Sequence, residues 1–222
     1  FASYEDAATG IVANLANAAG NTGEAAGDSY VSIERLAGSA FADTLTGDSG
    51  NNVLRGNGGA DVLDGGAGFD VADYSRSGSG LIVSLASPVN NTGEATGDTF
   101  TSIEGLSGSA FADTLIGDAG DNLLLGNGGA DILIGGAGID TAGYINATTG
   151  VTVSLANPGV NTGEAVGDTF TSIENLRGSD FNDTLIGDAG DNTLEGGPGA
   201  DSLMGGSGND YASYVRAASG LT

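Results

Sequence analysis

The sequence has no cysteine, histidine or tryptophan, only three prolines, and no lysine among its few bases. Without cysteine no disulfide can hold the fold, and without cysteine or histidine every thiolate or imidazole metal site is excluded, which leaves oxygen as the only donor. No apolar run approaches the roughly 20 residues of a membrane helix, so no membrane insertion is expected, and no charged-then-apolar leader opens the chain. Positive charge is scarce. Five arginines (Arg35, Arg55, Arg76, Arg177 and Arg216) stand against 29 acids, a net charge of −24. That balance excludes nucleic acid and anionic lipid as partners. It also makes a compact state repel itself unless cations sit among the acids. Catalysis is not expected either. The usual nucleophile and base pairings are missing, and the carboxylates recur as a lattice instead of meeting in one pocket.

Glycine is what the chain has in excess, 42 of 222 residues. It does not fall at every third position, as collagen requires, but in a nine-residue frame. Gly56-Asn57-Gly58-Gly59-Ala60-Asp61-Val62-Leu63-Asp64 is followed at once by Gly65-Gly66-Ala67-Gly68-Phe69-Asp70-Val71-Ala72-Asp73. Glycines at the first, second and fourth positions predict positive φ and a sharp turn, with carbonyl oxygens gathered at one spot. The Asp at the sixth position can point there too. Carbonyls with carboxylates suit a hard ion of the Ca²⁺ type, and the last three residues have room for one short strand with its middle side chain inward. Aspartates serving only as turn formers are the plainer alternative.

These blocks resemble the nonapeptide of RTX (repeats-in-toxin) proteins, a pattern long associated with calcium. The resemblance implies an all-β fold, a calcium-stabilised parallel β-roll or β-solenoid with two short strands per coil. It places Ca²⁺ between turns 18 residues apart, so that Asp43 faces Asp61 on one edge and Asn52 faces Asp70 on the other. The implied ligands are the sixth-position residues Asp43, Asn52, Asp61, Asp70, Asp113, Asn122, Asp131, Asp140, Asp183, Asn192, Asp201 and Asp210. With them go Asp48, Asp118 and Asp188, and the turn glycines Gly56, Gly58, Gly65, Gly126, Gly128, Gly135, Gly196 and Gly205. Phe41, Phe111 and Phe181 replace the fourth glycine in the first block of each set, and their parity with Leu45 and its copies predicts buried rings and weaker calcium geometry.

A longer period overlies the short one. Phe1-Ala2-Ser3-Tyr4 returns at Val71, Thr141 and Tyr211, always 70 residues on. Units 1–70, 71–140 and 141–210, with 211–222 opening a fourth, are therefore expected to form one continuous solenoid. Each unit is read as six strands and about three coils. Four belong to the nonapeptides. One more comes from the alternating Leu81-Ile82-Val83-Ser84-Leu85 and its copies, and one from Gly167 to Leu176, where the inward member among Phe170, Ile173 and Leu176 is open. Between them lies a polar Asn-Thr-Gly-Glu-Ala turn. The acids Glu24, Asp28, Glu94, Asp98, Glu164 and Asp168, and Glu34 with its copies, lie outside the nonapeptide frame. Either Glu94 and Asp98 close a calcium site over the turn of Asp70, or these acids form a solvated loop.

Function is expected at the level of a calcium-folded structural array of a large secreted or cell-surface protein: an adhesin, surface layer or extracellular filament, exported by the type I route that the resemblance implies. The rival is the calcium-dependent secretion and stability module of an extracellular protease, lipase or polysaccharide-modifying enzyme. Neither Phe1–Leu15 nor Tyr211–Thr222 departs from the repeat as a cap would, so copies are expected to stack head to tail, with cell-surface or matrix components as further partners.

Overall fold

The computed structural model describes residues 1–215, and the remainder of the stretch 211–222 lies outside them. The chain is all-β: its described strands are three residues long or shorter, joined by turns and single 3₁₀ turns. Three residues are enough for one inward side chain and no more, since side chains alternate across a strand. That inward residue is the eighth of each nonapeptide.

Ten strands form one continuous parallel sheet, in the order Ala2–Ser3, Arg35–Ala37, Val53–Arg55, Val71–Asp73, Gly105–Ser107, Leu123–Leu125, Thr141–Gly143, Asn175–Arg177, Thr193–Glu195 and Tyr211–Ser213. At about 4.8 Å per strand this makes a rod on the order of 45 Å long. The opposite face is broken into three parallel sheets. The first holds Val12–Asn14, Thr44–Thr46, Val62–Asp64 and Thr99–Thr101; the second Ile82–Ser84, Thr114–Ile116, Ile132–Ile134 and Thr169–Thr171; the third Thr152–Ser154, Thr184–Ile186 and Ser202–Met204. The inward residues pair in columns, Leu36 with Leu54 with Ala72 on one wall and Ala13 with Leu45 with Leu63 on the other. All are fully buried, each leucine contributing about 1.5–3 kcal/mol.

The strand count departs from expectation. The segment read as one strand near Gly167–Leu176 is two, Thr169–Thr171 and Asn175–Arg177, on opposite faces. Between them Ser172 turns the corner at φ 50°. Phe170, Ile173 and Leu176 therefore all face the core, because the chain reverses direction between them. Seven strands, as in the second and third units, would put later strands on the wrong face. Parity is kept because Ile82–Ser84 and Thr99–Thr101 lie on the same broken face, joined by an excursion that starts and ends there. The continuous face keeps the expected three strands per unit.

The polar Asn-Thr-Gly-Glu-Ala turn has a defined task. Thr92 N–H donates to the Ile82 carbonyl at 3.0 Å, Ile82 N–H to Thr92 Oγ1 at 2.9 Å and Ser84 N–H to Asn91 Oδ1 at 2.8 Å. Asn161 and Thr162 repeat this on Thr152–Ser154, and Asn21 and Thr22 in part on Val12–Asn14. The turn seals the outer edge of the first strand of each broken sheet. Because this turn recurs in every unit it belongs to the repeat, and Ala2–Ser3 is partnered on one side only.

The phenylalanines also correct the sequence reading. Phe41, Phe111 and Phe181 are 47%, 48% and 45% exposed. Alternation with Leu45 does not extend to them, since the strand starts only at Thr44. Among the described residues no helix is long and apolar enough to cross a membrane.

Candidate metal centre

Each coil has two turns, so the turn acids form two columns along the two edges of the roll. On the first edge Asp61 Oδ1 accepts the Asp43 N–H at 2.8 Å, Asp98 Oδ1 accepts the Asp61 N–H at 2.8 Å, and the Tyr74 hydroxyl donates to Asp98 Oδ2 at 2.6 Å. The next unit repeats the chain through Asp113, Asp131, Asp168 and Tyr144. On the second edge Asp70 Oδ1 accepts the Asn52 N–H at 2.6 Å and Glu104 Oε2 accepts the Asp70 N–H at 2.9 Å. Asn122, Asp140 and Glu174 do the same at 2.8 Å in both bonds.

One oxygen per stacked pair is left over. The Oδ2 atoms of Asp61, Asp70, Asp131 and Asp140 are buried with no hydrogen-bond partner, on side chains with no exposed surface. Burial is the main cause that pushes Asp61 and Asp131 up to about 7 and Asp70 up to about 6. Neighbouring charges add to it, Asp98 and Asp43 at Asp61, and Glu104, Asp48 and Asp64 at Asp70, while a backbone N–H on each carboxylate pulls the other way. Asp140 is raised for the same reasons. A dry, unpartnered carboxylate oxygen among like charges is stabilised by a cation or by a proton.

Glycine makes the room. A Cβ on Gly56 would lie 2.0 Å from Asp61 Oδ2, and one on Gly126 2.3 Å from Asp131 Oδ2. A Cβ on Gly65 would meet the Ser102 carbonyl at 2.1 Å and Asp70 Oδ2 at 2.6 Å; on Gly135 it would meet the Ser172 carbonyl at 2.0 Å and Asp140 Oδ2 at 2.3 Å. First-position glycines are thus required by the approach of oxygen atoms, and none of these four has the positive φ expected from sequence. Positive φ belongs to the second and fourth positions, for example Asn57 at 67° and Gly59 at 137°. Gly58 and Gly128 meet nothing nearer than 3.8 Å. Among the described residues no three carboxylates converge into a ready-made cage, so an ion on these oxygens would draw the rest of its shell from carbonyls. The donor set is all oxygen and fits Ca²⁺.

The other sixth-position residues are placed differently. Asp43 Oδ1 accepts the Ile11 N–H at 2.7 Å and Oδ2 the Ser39 N–H at 2.6 Å, with Ser39 Oγ 3.0 Å away. Asp113 and Asp183 are engaged identically by Leu81 with Ser109 and by Val151 with Ser179. Asn52, Asn122 and Asn192 accept through Oδ1 the N–H groups of Asp48, Asp118 and Asp188, whose own Oδ1 atoms bind the glycine N–H two residues on. Asp201 and Asp210 accept the N–H of Asp183 and Asn192, beside Gly196 and Gly205, but are half-buried and exposed.

Outside the nonapeptides, Asp98 stacks on Asp61 and not on the turn of Asp70, where Glu104 takes the place expected for it. Three residues, Ser102 to Glu104, carry the corner across to the second edge. Glu94 is half-buried, Glu164 accepts the Thr148 N–H at 3.2 Å, Glu24 is exposed, and exposed Asp28 accepts the Tyr4 hydroxyl at 2.5 Å. Sequence reasoning missed the serines that occupy Asp43 and its copies and the tyrosines that hold Asp98 and Asp168. The 70-residue recurrence of Ser39 and Tyr74 was the available signal.

A family model for the RTX calcium-binding nonapeptide repeat, in four copies, matches residues 37–72, 107–142 and 177–212. No curated protein matches the chain. The matched blocks hold the nonapeptide members of both acid columns, from Asp43 to Asp70 and again in each copy. Three tandem blocks of this chain therefore belong to the RTX calcium-binding nonapeptide repeat family, whose repeats bind Ca²⁺ at multiple sites.

Proposed function

We propose that the chain is a calcium-folded structural array of a secreted or cell-surface RTX protein, an adhesin, surface-layer or filament component, with 1–70, 71–140 and 141–210 as units of one solenoid. The observation that carries it is the set of four buried, partnerless carboxylate oxygens on Asp61, Asp70, Asp131 and Asp140. These are the ligands assigned first, with Gly56, Gly65, Gly126 and Gly135 providing clearance. Bound Ca²⁺ supplies the positive charge that the −24 chain lacks. Without it the turn carboxylates repel one another across a core of single leucines, and the array is expected to unfold. Low cytosolic calcium would then keep the chain unfolded until it leaves the cell. Circular dichroism during a calcium titration tests this: chelator should erase the β signal, with recovery near 0.1–1 mM, the range of extracellular modules. A full β signal in chelator would refute it. The array role also requires copies to associate through open strand edges, and sedimentation with and without calcium measures that.

A further inference from the structure

We propose that the insertion between nonapeptide blocks supplies half of a calcium site: Glu104 and the Ser102 carbonyl close a site on Asp70, and Glu174 and the Ser172 carbonyl close one on Asp140. The inference rests on calcium binding by the nonapeptides and names ligands outside them. Asp70 ends its block, so no further nonapeptide turn stacks on it; the corner 102–104 does. Three observations meet there. Asp70 Oδ2 is buried without a partner. The Ser102 carbonyl lies against the same face of Gly65 as that oxygen, 2.1 and 2.6 Å from the point a Cβ would occupy. Glu104 sits one hydrogen bond away, accepting the Asp70 N–H at 2.9 Å, while its own N–H and that of Gly105 donate to the Asp70 carbonyl at 3.0 and 2.8 Å.

The arrangement recurs at Asp140. Glu174 Oε2 accepts the Asp140 N–H at 2.8 Å, and the Ser172 carbonyl and Asp140 Oδ2 crowd Gly135 at 2.0 and 2.3 Å. Ser102 and Ser172 adopt φ of 49° and 50°, uncommon for a residue with a side chain. The strained corner is what brings the carbonyl to the acid. Two carboxylates and a carbonyl are hard oxygen donors of the kind Ca²⁺ takes, water completing the shell. The ion would then tie each block to the insertion that follows it.

Glu104→Gln and Glu174→Gln, singly and together in the full chain, test the site. Glutamine keeps an acceptor for the aspartate N–H and removes only the charge. Calcium stoichiometry by equilibrium dialysis should fall by one ion per substitution, while substitution of the exposed Glu5, Glu5→Gln, leaves it unchanged. Unchanged stoichiometry and midpoint in the folded double variant would overturn the proposal and leave nonapeptide calcium binding intact; absence of calcium binding by the wild type would instead overturn the proposed function. If the variants do not fold, the carbon-13 carboxyl resonance of Glu104 in the wild-type chain decides: a shift on calcium addition supports the site, and a resonance unmoved at saturation refutes it.

Discussion

Asp43 and Asp61 stand one coil apart, and the backbone N–H of the first donates to the carboxylate of the second at 2.8 Å. The two side chains nevertheless do different work. Asp43 has both oxygens engaged by N–H and O–H donors, whereas Asp61 keeps one oxygen bare. Same residue type, same frame position and same edge of the roll thus divide into a turn brace and a carboxylate with one oxygen free for the proposed cation.

Substitution should separate them. Asp131→Asn is expected to abolish one calcium ion and raise the calcium midpoint. Asp113→Asn should leave the stoichiometry unchanged and lower stability at saturating calcium by about 1–3 kcal/mol, since its buried donors lose a charged partner. Isothermal titration and urea unfolding read the two effects, and loss of an ion from Asp113→Asn would contradict the division.

The raised carboxyls set a pH dependence. In the calcium-free fold Asp61 and Asp131 sit at about 7 and Asp70 at about 6, above the ordinary 3.8. A folded value above the unfolded one means that the native state binds protons more tightly; its stabilisation is complete below pH 3.8 and is lost as pH rises to 7. Chelated protein is therefore expected to gain β signal as pH falls from 7.5 to 5. Protons and Ca²⁺ compete for the same oxygens, so the calcium midpoint should rise over the same interval. A midpoint that does not move with pH would show the acids to be ionised without the metal.

Glycine positions should differ sharply in tolerance. Gly135→Ala places a methyl 2.0 Å from the Ser172 carbonyl and should weaken calcium binding at least tenfold. Gly128→Ala, with nothing nearer than 3.8 Å, should change the calcium midpoint less than twofold. Titrations of the two variants side by side provide the measurement.

The edge seal can be opened. Ser154 is 1% exposed and its N–H is held by Asn161 Oδ1 at 2.8 Å. Asn161→Ala leaves that donor buried and unpaired, at about 1–3 kcal/mol, and bares a strand edge that recruits other chains. Urea unfolding at saturating calcium should show the loss, and light scattering should show increased association.

The nonapeptide frame made the core legible, because glycine, aspartate and leucine at fixed offsets each do one physical job: Leu45, Leu54 and Leu63 are buried as their positions require. The 18-residue partnership of Asp43 with Asp61 and Asn52 with Asp70 was implied by the resemblance to RTX repeats, and hydrogen bonds join both pairs at that spacing. The insertion was not, since its strand pair turns at Ser172, a residue with no compositional mark of positive φ. That hidden corner is why one strand was read for two, and why Asp98 was set on the wrong edge. Parity misled at Phe41 because alternation is a property of strands, and this residue precedes one.

The unequal faces of the roll have a mechanical consequence. Hydrogen bonds between strands run along the rod axis, so a pull on the ends loads the ladders in tension. The ten-stranded sheet transmits that load without interruption, whereas the opposite face has no ladder between Thr99–Thr101 and Ile82–Ser84, nor between Thr169–Thr171 and Thr152–Ser154. Each unit is thus a stiff segment hung on a common strap. Under load the gaps open first, at intervals of one unit, and the rod bends with the continuous sheet on the inside of the curve. An ion held between Asp70 and Glu104, as proposed above, would act as a clasp beside the gap, and calcium would then set the stiffness of the rod.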